Sequence, residues 1–251
     1  MAVGLLRRSA PFGRATHSGV AAYAQRPTIR DEEESRWLRR VRVYLEAHLG
    51  RIVDHAGRIM GMPSDLFWGH EQELATIVLR DLLGNTANRG GLFAMGELQR
   101  RYRVGVDWGL VNTSAQKWAT EFAGQLATGI TETTRGQVGQ VIGDWIASGE
   151  PMPQLATRLR EQAGIQRRAE MIASTETTRA FTEGNRIAWA ESGVVEREGW
   201  ETADDERVCP ICFPLSGKQN QKIGEDFPGG YRPPAHVACR CWAVPIVRGT
   251  R

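Results

Sequence analysis

The sequence predicts a mainly α-helical protein, in which a multi-helix body precedes a small α+β, loop-rich subdomain that bears the cysteines. Apolar residues recur every three or four positions through most of residues 31–192, which is the period of amphipathic helices. After that point the apolar runs are short and separated by Gly and Pro, and all four cysteines lie there. We therefore expect a disordered basic tail over residues 1–30, a helical body over 31–192 and a C-terminal Cys/His subdomain over 193–251.

The composition is that of an ordinary soluble protein. Of the 251 residues, 41% are hydrophobic and 24% are charged, and the formal net charge is +3. No apolar run approaches the roughly 20 residues that a membrane-spanning helix needs. Gly4-Leu5-Leu6 is too short for the apolar core of a signal peptide. We expect no membrane partner and a chain that is made and kept in the cytoplasm.

The first thirty residues are the most basic part of the chain. They contain no acidic residue and five arginines: Arg7, Arg8, Arg14, Arg26 and Arg30. Such a segment is typical of a disordered tail, of an arm that binds phosphate groups, or of an Arg-rich transit peptide. Gly, Ala, Ser and Pro dominate it and no strong period is visible, which favours the disordered tail. DNA is the partner that such a tail is able to bind.

Two helices are predicted in the first part of the body. The first runs from Asp31 to about Met60, with an apolar stripe at spacings of three and four. Met62-Pro63-Ser64-Asp65 supplies a break and an N-cap for the second, whose pattern ends before Gly84-Asn85. A softer segment, which has no clear boundary, leads on to Tyr102.

Three more helices complete the predicted body. Asn112-Thr113-Ser114 serves as the cap of a long helix that ends at Ser148-Gly149. A short helix begins around Pro151 and closes near Gly164, and the last one runs from about Ile165 to Ser192. The aromatic positions of the long helix indicate either a core or a protein-binding groove: Trp118, Phe122 and Trp145.

The C-terminal subdomain is predicted to contain two short strands. The first comprises residues 194–202 and leads to the acidic turn Asp204-Asp205-Glu206, which we interpret as a solvated turn. A turn-rich run follows over residues 227–234. The last strand is expected over residues 239–247, where apolar side chains alternate. Thr175-Glu176-Thr177-Thr178-Arg179, in the last helix, is either a buried polar contact with this subdomain or an exposed helix face.

The subdomain carries the residues of a metal site. Cys209-Pro-Ile-Cys212 is followed by His236-Val-Ala-Cys239-Arg-Cys241, and two short-spaced ligand pairs about twenty residues apart are able to converge on one tetrahedral zinc ion. The four ligands are either the four cysteines, with Cys239 and Cys241 on one face of an extended strand, or a set in which His236 replaces one of these two. We expect a structural zinc site of the zinc-ribbon-like or treble-clef-like kind.

Other uses of these residues are less consistent with the pattern. Reduced structural thiols and disulfides remain alternatives, although a cytoplasmic chain disfavours lasting disulfides. The deaminase signature fails because Cys209-Pro-Ile-Cys212 precedes the histidine and position 238 is Ala where that signature has Glu. A metal-dependent nuclease or hydrolase on the Cys/His site stays as the alternative function. It needs a second nearby histidine, whereas the others lie in the tail or the helices: His17, His48, His55 and His70.

The order of several short motifs resembles the Mu F-like phage head morphogenesis family, the minor head proteins that associate with the portal. The resemblance is carried by Arg168-Ala-Glu-Met-Ile-Ala-Ser-Thr-Glu176, by Trp200, by residues 205–212 with Leu215 and Gly217, and by Pro233-Pro-Ala-His-Val-Ala-Cys-Arg-Cys241. It is strong over about residues 165–247 and looser over 112–164. Ser174 and Ala238 depart from the residues that the family often has, and neither is a candidate ligand.

The resemblance implies a structural component of a phage particle and not an enzyme. Its partners would be the portal protein and other head proteins, and it would have no small-molecule substrate. It would act in head or procapsid morphogenesis, with a further role in genome packaging or ejection. We therefore expect the protein in the interior of the virion or procapsid, after a stay in the host cytoplasm before assembly.

Overall fold

The computed structural model describes residues 28–202, 208–217 and 219–247. Long helices make up most of it, and a small antiparallel sheet follows them, so the predicted fold class is confirmed. The helices are α1 (Thr28–Ile59), α2 (Asp65–Tyr102), α3 (Trp108–Ser148), α4 (Met152–Ala163) and α5 (Ile165–Ser192). The strands are β1 (Val195–Glu201), β2 (Gln219–Lys222) and β3 (Trp242–Val247).

Helix α1 begins three residues before the predicted start of the body. It begins at Thr28, and Arg30, which was predicted to belong to the tail, is buried within it. The apolar stripe of α1 lies in the core, where Trp37 donates its indole N–H to Thr86 Oγ1 of α2 at 2.8 Å. The remainder of the predicted tail, residues 1–27, lies outside the described residues.

Helix α2 is continuous through Gly84-Asn85, where the prediction ended a helix. Gly90 of α2 and Gly184 of α5 do not end their helices but allow the two helices to pack closely. A Cβ at Gly90 would lie 2.2 Å from the carbonyl oxygen of Phe181 in α5, and a Cβ at Gly184 would lie 1.8 Å from the carbonyl oxygen of Ala87 in α2. The two helices therefore approach each other so closely that only glycine fits at these two positions.

Helix α3 begins earlier than predicted. Its N-cap is Asp107, whose carboxylate accepts hydrogen bonds from the backbone N–H groups of Gly109 and Leu110, and Asn112 to Ser114 lie inside the helix. The alanines at every fourth position of its first half are fully buried and give α3 a smooth surface in the core: Ala115, Ala119, Ala123 and Ala127.

The last two helices agree with the predicted boundaries. Gly149, Gly164 and Gly193 follow α3, α4 and α5, and each adopts a positive φ, which is the left-handed conformation that commonly ends a helix. Among the described residues, no helix combines the length and the apolar character that a membrane span requires.

A buried charged cluster links α1 to α2. Glu71 is fully buried, accepts a hydrogen bond from His48 Nδ1 at 2.5 Å and pairs through both oxygens with Arg51 at 2.7 Å. Burial acts to raise the pKa of Glu71, but the hydrogen bonds from His48 and Arg51 outweigh it and lower the pKa to about 2. The carboxylate is therefore charged at neutral pH and is held in place by two partners from α1.

The sheet has the order β2-β1-β3, and both pairings are antiparallel. Strand β2 was not predicted, since its polar sequence carries no alternating apolar signal. Strand β3 begins at Trp242, later than predicted, and five of its six residues are buried, so it lacks a solvent-facing side. Cys239 and Cys241 thus precede the strand and do not share a strand face as predicted.

Candidate metal centre

The first half of the centre is a tight turn over residues 209–213. The backbone N–H groups of Cys212 and Phe213 both bond to the carbonyl oxygen of Cys209, at 3.1 and 2.9 Å, and the Cys212 N–H also points at Cys209 Sγ, at 3.4 Å. A short 3-10 helix over Phe213–Leu215 continues this turn. The turn brings both sulfur atoms to the same side, which is how a C-x-x-C segment presents two ligands to one ion.

The second half is the loop that contains His236, Cys239 and Cys241. The Cys239 N–H bonds to the carbonyl oxygen of His236 at 3.1 Å, and Ala238 between them has φ +58°, a left-handed conformation. His236 Nδ1 donates to the carbonyl oxygen of Val237 at 2.8 Å. This bond leaves Nε2 as the metal-binding nitrogen, in the manner of metal-ligating histidines.

The two halves meet with their donor atoms close together. His236 Nε2 lies 3.0 Å from Cys209 Sγ and 3.3 Å from Cys212 Sγ, and Cys212 Sγ lies 3.7 Å from Cys239 Sγ. Two groups of three donors each fit within 4.8 Å: Cys209 with Cys212 and His236, and Cys212 with Cys239 and Cys241. All five predicted ligands are therefore gathered around Cys212, which belongs to both groups.

The chemistry of the donors suits a zinc ion. Two or three thiols and one imidazole are the ligand types of structural zinc sites, and none of the four cysteines forms a disulfide. A hydrogen bond from the Cys241 thiol lowers the pKa of Cys239 to about 5, while burial acts in the opposite direction. Burial, together with the charge on Cys239, raises the pKa of Cys212 to about 12. Thiols this close together do not all lose their protons readily, because neighbouring thiolates repel one another. A divalent cation that replaces the protons offsets this repulsion.

The hydrophobic surroundings close the centre on its inner side. Cys212, Cys239 and Cys241 are buried, together with Trp200 and Phe227, whose rings meet edge to face at 5.2 Å between centroids. Trp200 belongs to β1, so the central strand of the sheet forms the floor of the centre.

Helix α5 holds the histidine loop through two threonines. The backbone N–H of Ala238 donates to Thr175 Oγ1 at 2.8 Å, and Thr178 Oγ1 donates to the carbonyl oxygen of Cys239 at 3.1 Å. Arg30 of α1 donates in turn to Thr178 Oγ1. The buried-contact interpretation of Thr175-Glu176-Thr177-Thr178-Arg179 is therefore supported at Thr175 and Thr178. The role of Arg30 was not predicted, because its partner is 148 residues away in sequence.

Other residues singled out in the sequence lie elsewhere. His48 pairs with Glu71 in the helical core, and His55 stacks near Phe67, so neither of them reaches the thiols. Within the part of the chain that the structure describes, His236 is the only histidine in either ligand group. The acidic turn at residues 204–206 lies outside the described residues.

Comparison with known proteins gives one match. Residues 136–244 match the family model of Phage Mu protein F like protein, which confirms the resemblance found in the motifs over that stretch. No curated protein and no solved structure matches the chain. The matched stretch begins inside α3 and includes α4, α5, β1, β2, the first half of β3 and the five candidate ligands. The match covers less than half of the chain, so it shows a similarity of this stretch to that phage family.

Proposed function

From this match we propose that the protein is a minor head protein of a phage, which acts in head morphogenesis at the portal and carries a structural zinc ion. The observation that carries the proposal is that the matched stretch includes both α5 and the candidate metal centre, which are joined by the Thr175 and Thr178 hydrogen bonds. The portal, as the unique vertex of a head, suits a component present in few copies. A role in genome packaging or ejection is consistent with that position.

The zinc ion is proposed to be structural because protein donors are sufficient to fill its coordination sphere. Catalytic zinc sites keep one position open for water, whereas here five protein donors lie in two overlapping groups of three, which is enough to fill all four positions. The ion would join the turn at Cys209 to the loop at His236, two segments with little regular structure of their own. In small loop-rich regions such a cross-link supplies stability that a thin core cannot.

We assign Cys209, Cys212, His236 and Cys239 as the four ligands. Tetrahedral sites with Zn–S bonds of about 2.3 Å have sulfur atoms roughly 3.8 Å apart. Cys212 Sγ and Cys239 Sγ already lie at 3.7 Å, and His236 Nε2 lies against the first two thiols. Cys241 is then the neighbour that donates its thiol hydrogen to Cys239.

Two measurements test this function. Metal analysis of the purified chain should give one zinc per chain, and a strong chelator should lower the melting temperature; a metal-free protein with an unchanged melt would remove the zinc proposal. Particles made by the phage or prophage that encodes the chain should contain it in few copies, by quantitative mass spectrometry. Its absence from purified heads and procapsids would remove the head-protein proposal.

A further inference from the structure

A groove of about 500 Å³ lies between α3 and α5, beside the metal centre. Its walls are formed by side chains from Phe122 to Thr133 of α3 and from Arg168 to Arg179 of α5, and on both helices the lining positions are spaced by three and four. Each wall therefore follows one face of a helix for three turns, or roughly 16 Å. That length and shape match one helix of a partner better than a compact small molecule.

The groove is apolar along its floor. Phe122, Leu126 and Ile172 pack on the helical core and stay only partly buried, which leaves their outer surfaces uncovered. Val237, next to His236 in the metal-binding loop, is 60% exposed and forms part of the rim. Partly buried apolar side chains at helical spacing form the kind of surface that receives the apolar face of an amphipathic helix.

Two arginines line the groove, and among the described residues only one of them, Arg179, pairs with a carboxylate. Arg179 pairs with Glu176 at 2.9 Å and lies over the ring of Phe122. Arg168 donates to the backbone carbonyl of Ile130 at 2.8 Å, and among the described residues no carboxylate lies within ion-pairing distance of it. Burial lowers the pKa of Arg168, as expected for a guanidinium with reduced access to water. An incoming carboxylate would complete its hydrogen bonds.

We propose that this groove binds an amphipathic helix of a partner protein, with apolar side chains toward Leu126 and Ile172 and an Asp or Glu toward Arg168. The proposal rests on the proposed function, because a minor head protein must dock on other head proteins, and it names the surface and the chemistry of the docked segment. The apolar positions of the bound helix follow the i, i+3, i+4, i+7 spacing.

The metal centre supports one rim of the groove. Val237 is positioned by the loop that Thr175 holds through Ala238, and Thr175 itself lines the groove. Loss of the ion would loosen that rim while leaving the floor of the groove, which belongs to the helical core. Binding is therefore expected to weaken on zinc removal and not to vanish.

Selection from a displayed library of 16-residue helical peptides, with seven positions of one face randomised, tests the groove on the full-length chain. Selected peptides should combine Leu, Ile or Phe at helical spacing with an Asp or Glu. Gln125→Trp, an exposed change that fills the groove, should weaken binding about tenfold or more, whereas Gln154→Trp on exposed α4 surface should not. Absence of selected peptides, or equal binding by Gln125→Trp, would overturn the proposal.

The charge assignment has its own test. Arg168→Gln should weaken the best acidic peptide by about tenfold and should barely affect the same peptide with its acid replaced by Gln or Asn. Equal losses for both peptides would overturn the carboxylate assignment. If peptide binding requires removal of residues 1–27, or if the chain forms a dimer that Gln125→Trp dissociates, the groove binds a segment of this chain. Either result would overturn the partner helix. If particles incorporate the Gln125→Trp variant as well as the wild-type protein, the groove proposal is overturned, whereas the proposed head-protein function is unaffected.

Discussion

The backbone N–H of Ala238 donates a hydrogen bond to Thr175 Oγ1 at 2.8 Å, so the last part of the loop between β2 and β3 is tied to α5. The threonine is buried and its hydroxyl also donates to the carbonyl oxygen of Met171 in its own helix. Because Ala238 separates His236 from Cys239, the bond fixes the backbone between two candidate ligands. The helical bundle therefore sets the shape of the metal centre.

Replacing Thr175 by Val should destabilise the protein by about 1 kcal/mol, since the Ala238 N–H loses the acceptor of a partly buried hydrogen bond. It should also weaken zinc binding, because the loop between His236 and Cys239 loses its tether. Thr128→Val is a matched control: this threonine bonds back to its helix in the same way but is exposed. Chemical denaturation and competition with a chromogenic zinc chelator measure the two effects. Equal behaviour of both variants would contradict the tether.

The variants Cys239→Ser and Cys241→Ser should show which of these two cysteines is a zinc ligand. The first should lower zinc affinity by orders of magnitude and the melting temperature with it, because it removes a thiolate from the coordination sphere. The second should retain one zinc per chain with a smaller loss of affinity. Metal content after dialysis against a moderate chelator gives the answer. Retention of zinc by Cys239→Ser and its loss from Cys241→Ser would reverse the assignment.

Glu71→Gln should reduce the free energy of unfolding by roughly 3 kcal/mol at pH 7, since it breaks a buried ion pair. The folded-state pKa of Glu71 is about 2, below its ordinary value of 4.5. Its stabilisation is therefore complete above pH 4.5 and disappears as the pH falls toward 2. Denaturation midpoints of wild type and variant should converge over that range. Glu73→Gln, on the exposed side of α2, should show no such gap, and a pH-independent gap would contradict the charged role of Glu71.

Gly184→Ala should destabilise the protein by about 2–3 kcal/mol, because the new Cβ meets the backbone of α2 and not a movable side chain. Gly136→Ala is the matched control in α3, where no atom lies within 4 Å of the added Cβ. That change should stabilise the protein by about 0.5–1 kcal/mol through helix propensity. Thermal melts of both variants measure the difference. A neutral Gly184→Ala would mean that α2 and α5 separate without cost.

Most of the helices and the five residues whose donor atoms meet could be predicted from the sequence, since both depend on local information, and metal binding by these residues stays a prediction. Helical periods and the Cys-x-x-Cys spacing can be recognised within a few residues of each other. The prediction ended α2 at Gly84-Asn85 because glycine commonly marks a helix end. Gly84 instead lies inside α2, where a Cβ would meet the side chain of Gln116 in α3. Strand β2 escaped notice because its pairing with β1, and not its composition, makes it a strand. The clamp of Thr178 on Cys239 depends on a contact 61 residues distant in sequence.

The glycine contact between α2 and α5 has a consequence for how the chain can be divided. The stretch that matches the phage family begins at residue 136, in the second half of α3, and leaves out α1 and α2. Without them, α5 would expose Ala173, Ala180 and Trp189 to water, and Arg30 would no longer bond to Thr178. The segment shared with the family is thus smaller than the unit that folds. Fragments for expression or grafting should start before α1, however convincing the boundary at residue 136 looks in an alignment.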